Sequence, residues 1–139
     1  GHEEMDATHR EFVVCVDALL RASDDELPAR LEALAEHAKL HFAEEDEAMR
    51  RGAYNAGGCH VEEHAAVLKS LSEVREALCE GRPEVVRRFA KALADWFPKH
   101  ARVMDLGLAQ WMAEQRLGGA PILIRPRTRA VAHQAIGVR

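Results

Sequence analysis

The sequence predicts an all-α protein, an up-down-up-down four-helix bundle followed by a non-helical C-terminal tail. Three observations carry the prediction. Apolar residues recur at three- and four-residue steps through four long stretches, the spacing of a buried helix face. Clusters of Asp, Gly and Pro separate those stretches by the short intervals that join antiparallel neighbours. Nothing before the tail alternates with the two-residue period of a strand.

The first helix is expected over 6–22, with Phe12, Val13, Val16, Leu19 and Leu20 on its buried face. Asp24 and Asp25 break it, and either is suited to cap the next helix. The second is expected over 27–51, with Pro28 tolerated in its first turn. Leu31, Leu34, Ala35, Ala38, Phe42 and Met49 form its inward stripe, and Gly52 with the loop 53–58 ends it. The third is expected over 59–80, with Val67, Leu68, Leu71, Val74 and Leu78 inward. Gly81-Arg82-Pro83 then marks a stop and a restart. The fourth is expected over 84–117. Pro98 lies inside it, removes a backbone donor and clashes one turn back, which predicts a kink near 95–97. Gly118-Gly119-Ala120-Pro121 stops that helix. Two regions result: residues 1–117 as the bundle and 118–139 as a basic tail.

The chain has 139 residues, enough for one domain whose core needs no disulfide. No apolar run approaches the ~20 residues of a membrane helix, so no membrane span is expected. Nineteen Lys and Arg against 23 Asp and Glu give a net charge of −4, which disfavours a nucleic-acid partner. The charge is uneven, because the tail carries Arg125, Arg127, Arg129 and Arg139 and no acid. The tail can be read as a docking segment, aided by its Ile122-Leu123-Ile124 patch, or more plainly as a solvated terminus. A monomer or weak oligomer is expected. Cys15, Cys59 and Cys79 are odd in number and fit reduced thiols, hence a cytoplasmic location, and no secretory signal is visible.

Eight histidines is a rich count, and their spacing matters more. Each predicted helix carries metal-ligand residue types on its apolar side. The first has His9, the second His41 and Glu45, the third His60 and His64, and the fourth His100 and Asp105. A step of four stacks two side chains on one helix face, so His41/Glu45 and His60/His64 each reach a common point. The five-residue step of His100/Asp105 leaves the two roughly 140° out of line in a regular α-helix, unless the proline kink or a π-bulge rotates that turn.

Five histidines and two carboxylates are too many for one tetrahedral zinc. Two irons of roughly six ligands each, sharing two bridging carboxylates and a bridging oxo or hydroxo group, would take them all and leave one position open. That position falls on the iron with two histidines, and a small ligand such as O2 fits it. Di-iron carboxylate enzymes on helical bundles use more glutamate and less histidine. A histidine-rich set favours the ferrous state and so reversible binding over oxidation chemistry.

At these residues the chain resembles the hemerythrin family, in particular its single-domain bacterial members. Met5-Asp6-Ala7-Thr8-His9 resembles a D-x-x-H opening, and His41-Phe42-Ala43-Glu44-Glu45 an H-F-x-x-E motif. His60-Val61-Glu62-Glu63-His64 resembles H-x-x-E-H, and Trp96 to Asp105 resembles W-x-x-x-H-x-x-x-x-D. The likeness covers about residues 5–112, and the ordered set is far more specific than any one motif. It implies that His60, His64 and His100 hold one iron, that His9 and His41 hold the other, and that Glu45 and Asp105 bridge. It also implies O2 or another small diatomic ligand at the open iron. Trp96, Phe97, Phe12 and Phe42 are expected to line a dry pocket around that ligand.

Other readings exist for single pieces. His60 to His64 alone also fits an inverted zinc-protease motif with Glu63 as base, but that leaves five candidate ligands without a role. His37 is a candidate donor to a ligand carboxylate, against the plainer reading of a satisfied histidine. Cys59 is read as a small helix-start residue rather than a redox thiol. His2 and His133 are read as solvated. The expected function is reversible O2 binding for carriage, storage or sensing. The alternatives are a di-iron enzyme consuming peroxide or nitric oxide, and an iron-buffering protein.

Overall fold

Four long helices bury their apolar faces against one another. The computed structural model describes residues 3–52, 54 and 57–116; the tail at 118–139, His2 and His133 lie outside them. The helices are α1 (Glu3–Arg21), α2 (Leu27–Gly52), α3 (Gly57–Cys79) and α4 (Pro83–His100). A π-helical turn, Ala101–Asp105, continues α4 into α5 (Leu106–Arg116). Each of the four long helices packs chiefly on two others, α1 and α3 both lying against α2 and α4. There is no strand among the described residues.

The connections follow from local chemistry. Between α1 and α2 the Glu26 carboxylate accepts from the Ser23 hydroxyl at 2.8 Å and from its backbone N–H at 3.1 Å. This is the reach-back half of a capping box, so Ser23 and Glu26 do the work expected of Asp24 or Asp25. Asp24 instead accepts from Arg87 of α4 at 2.5 Å, and the same guanidinium donates to the Ala22 carbonyl at 2.9 Å. Beyond α3, Gly81 takes φ +78°, which an L side chain rarely adopts. Its N–H reaches the Leu78 carbonyl and the Arg82 N–H reaches that of Ala77, the paired bonds of a Schellman end. Pro83 then opens α4, where a missing N–H costs nothing.

The core runs from Phe12, Val16 and Leu19 through Leu27, Leu31, Leu34, Ala38 and Phe42 to Val67, Leu71, Val74, Val86, Ala90, Leu93 and Phe97. The expected inward stripe of α1 is narrower than its sequence suggests, since Val13 is 52% and Leu20 41% exposed. They flank a shallow apolar groove between α1 and α4, lined also by Val16, Ala94, Phe97 and Pro98. The fourth helix carries the π-bulge that was one of the two ways of meeting the His100/Asp105 spacing. It stays α-helical through 95–97, and the departure falls one turn later, at Ala101–Asp105. There the Leu106 N–H bonds to the Ala101 carbonyl, five residues back, which admits one extra residue to the turn.

Leu34 is fully buried in the half of the core made only of apolar side chains. Leu34→Ala is expected to lower unfolding stability by about 2–5 kcal/mol, read by denaturant titration, with an unchanged number of bound cations.

Candidate metal centre

Up-down connectivity brings alternate helix halves to one end of the bundle. That end holds the first half of α1, the second half of α2, the start of α3, and the end of α4 with its π turn. These are the segments that carry His9, His41 and Glu45, His60 and His64, and His100 and Asp105. All seven side chains come together there. Six of them are no more than 5% exposed, and His9 is half-buried. The opposite end of the core has only apolar side chains, among them Leu27, Leu31, Leu34 and Val86.

The carboxylates organise the cluster. Glu45 Oε1 lies 3.0 Å from His41 Nε2 and 3.8 Å from His9 Nε2. Its other oxygen lies 3.3 Å from His60 Nε2 and 3.2 Å from His64 Nε2. Asp105 Oδ2 lies 2.9 Å from His9 Nε2, while Oδ1 lies 2.7 Å from His60 Nε2 and 3.1 Å from His100 Nε2. Glu45 therefore gives one oxygen to His9 and His41 and the other to His60 and His64, and Asp105 gives one to His9 and the other to His60 and His100. The π turn makes this possible. Its extra residue brings Asp105 back onto the face of His100 across a five-residue step.

The donor set suits a cation. His9 Nε2, His41 Nε2, His60 Nε2 and all four carboxylate oxygens are buried without a hydrogen-bond partner, despite their closeness. They converge on shared space instead of aligning with one another. His64 Nε2 and His100 Nε2 also face each other, at 3.2 Å. Ligand atoms about 2.1 Å from one ion and at right angles around it stand on the order of 3 Å apart, the spacing seen here. Two overlapping groups meet the geometry for holding a metal ion: Glu45, His60, His64, His100 and Asp105, and His9, His41, Glu45 and Asp105.

Electrostatics explain how these groups coexist. Burial disfavours the imidazolium of His9 and His60, but the adjoining Asp105 and Glu45 outweigh it and raise both to about 9. Burial pushes the Glu45 carboxyl up, yet its contacts with His41, His60, His64 and His9 hold it well below the usual range. Asp105 is likewise held low, against burial, by His100, His60 and His9.

The four aromatic rings divide between the two sides. Phe97 meets His9 edge-on at 5.5 Å and packs on Phe12 at 4.4 Å. Phe42 stacks flat on His64 at 4.0 Å. Trp96 lies over His100 at 4.3 Å and donates its Nε1–H to Glu63 at 3.0 Å. His37 does not reach a candidate-ligand carboxylate. Its Nε2 faces the Thr8 carbonyl at 3.2 Å and its ring lies parallel to that of His41. Two carboxylates that sequence reasoning gave no part in the cluster stand behind it: Asp46, 2.7 Å from His64 Nδ1, and Glu63, 3.5 Å from His100 Nδ1. Glu63 lies within the H-x-x-E-H motif, but only the packed helices show that it faces His100.

Fold and site together define a cation-binding four-helix bundle. The family model for the hemerythrin HHE cation-binding domain matches residues 1–112. The chain is 33% identical over 115 residues to the bacteriohemerythrin of Ralstonia nicotianae, covering 83% of this chain and 84% of that one. No solved structure matches it significantly. This chain belongs to the hemerythrin family. None of its described helices is long and apolar enough to cross a membrane.

The histidine shifts set a pH dependence. His9 and His60, raised from 6.5 to about 9, stabilise the metal-free fold fully below pH 6.5, and that gain is lost as pH climbs through about 9. Glu45 and Asp105, depressed from 4.5 and 3.8, stabilise it above those values and fail as acid protonates them. Metal-free protein is therefore expected to melt highest between about pH 4.5 and 6.5 and lower toward pH 9. Cation uptake at neutral pH is expected to release about two protons, those of His9 and His60. Thermal melts across this range and a pH-indicator titration check both. A metal-free melting temperature that climbs from pH 6.5 to 9 contradicts the assignment.

Proposed function

We propose that this chain is a non-haem di-iron protein that binds O2 reversibly, for oxygen carriage, storage or sensing. One observation carries the reading: two buried carboxylates each divide their oxygens between a set of three histidines and a set of two. In this reading His60, His64 and His100 would hold one iron, His9 and His41 would hold the other, and both would share Glu45 and Asp105. Iron held there would supply the electrons on which O2 binding draws. The two-histidine side is one protein ligand short, which leaves room for a small molecule.

The surrounding side chains suit that task. Phe97 and Phe12 close the two-histidine side with hydrocarbon and offer no proton. A wall of this kind keeps water from the bound ligand and slows its proton-assisted loss. Phe42 backs the same wall from α2, 6.3 Å from Phe12. Trp96 belongs to the other side, where it covers His100. Five imidazoles are neutral donors to a metal, which favours the ferrous state.

The test is a visible spectrum of iron-analysed protein, reduced without oxygen, exposed to air, then returned to argon. Absorption bands that appear in air and fade under argon are expected. Direct passage to a stable ferric form would favour the enzymatic alternative, and a colourless zinc protein would end the di-iron reading. Phe97→Ala is expected to open the wall to water and speed autoxidation several-fold, followed as loss of the oxygenated spectrum. An unchanged rate would remove Phe97 from the pocket.

A further inference from the structure

The two sides of the cluster are backed differently. Two histidines of the three-histidine side have carboxylates behind them, while His60 Nδ1 is buried without a hydrogen-bond partner. His64 Nδ1 lies 2.7 Å from Asp46 Oδ1, and His100 Nδ1 lies 3.5 Å from Glu63 Oε1. A carboxylate only accepts, so in each pair the Nδ1 carries the proton and donates. That tautomer leaves Nε2 with its lone pair, aimed into the cluster. Glu63 is itself fixed, since Trp96 Nε1 donates to the same oxygen at 3.0 Å while its ring covers His100. Phe42 does the same for His64 by stacking flat on it. Both imidazoles are thus fixed in tautomer, tilt and position before any ion arrives.

The two-histidine side has no such backing. Among the described side chains no carboxylate stands at Nδ1 of His9 or His41. His41 has the His37 ring alongside, and His9 has the edge of Phe97. His9 is also the more exposed ligand candidate, at 18%. Its helix contributes nothing else to the cluster.

We infer that Asp46 and Glu63 are positioning residues that make the three-histidine side the tighter of two cation positions, filled before the two-histidine side. This rests on the reading that the seven side chains hold two cations. Carboxylates behind a ligand histidine raise its donor strength and hold its orientation, and losing one typically weakens metal binding about 10–100-fold. The unbacked side gains no such help, and its His9 is the more exposed of the two imidazoles there.

Anaerobic titration of the metal-free full chain with cobalt(II), followed by visible absorption and calorimetry, tests this. Wild-type protein is expected to show two resolved binding events. Asp46→Ala is expected to weaken the first event about 10–100-fold and the second far less. Asp46→Asn retains an acceptor without the charge and should fall between, while Asp46→Glu should recover part of the loss. Glu63→Gln should weaken the first event and shift its cobalt spectrum, because the His100 environment changes. Circular dichroism of each metal-free variant establishes that the helices are intact. If Asp46→Ala and Glu63→Gln leave the first event unchanged, or weaken both events equally, the inference is wrong. Binding of a single cobalt by wild type would instead overturn the two-cation reading on which it rests.

Discussion

Two carboxylates buried among five imidazoles are the constraint around which the rest of the molecule is arranged. An ionised carboxylate out of water costs several kcal/mol unless something compensates it. Here the oxygens of Glu45 and Asp105 lack hydrogen-bond partners, so only protons on the neighbouring histidines or a cation can compensate them. When no cation is bound, the fold therefore cannot draw a pH-independent stability from this end. It draws it from the other end, where Leu19, Leu27, Leu31, Leu34, Leu71 and Val86 pack without a polar atom among their side chains. Arg87 and the Ser23–Glu26 pair fasten the loop there. One half of the bundle holds the helices together, and the other half can then hold groups that would not fold by themselves.

Within the site a second division is superimposed on the first. Hydrocarbon faces the side with fewer histidines, and hydrogen-bonded carboxylates stand behind the side with more. Phe42 joins the two, stacked on His64 and leaning toward Phe12. The same four-helix cross-section thus presents an apolar surface beside one set of histidines and a polar scaffold behind the other.

Much of this was legible before any coordinates. The four-residue steps of His41/Glu45 and His60/His64 are properties of a single helix, and so is the punctuation at Gly81-Arg82-Pro83. The bundle class followed from such local signals, and the set of seven candidate ligands followed from their order. What escaped was set between elements. Asp46 looks like a solvated residue of a charged helix face and Glu63 stood out only as part of H-x-x-E-H, and the approach of α2 to α3 and of α3 to α4 makes them partners of His64 and His100. Val13 and Leu20 have the spacing of a buried stripe, but the α1–α4 packing leaves a groove where they would have met a neighbour. Asp24 and Asp25 were reasonable caps by type. Arg87, more than sixty residues away, engages one of them, and the capping falls to Ser23 and Glu26. The five-residue step from His100 to Asp105 called for a rotated turn, and the helix supplies it as a π-bulge.

The wide turn at Ala101–Asp105 has a chemical consequence. In an unbroken α-helix the side chain stacked one turn beyond His100 would be that of residue 104, a methionine. A neutral, polarisable thioether would then face the cluster, and the second anion would point away. Soft sulfur favours copper(I), whereas carboxylate oxygen favours harder ions. Five-back main-chain bonding, as from Leu106 to the Ala101 carbonyl where a regular helix would reach four back, thus sets which of two adjacent side chains enters. The ionic preference of the centre is written partly in its backbone.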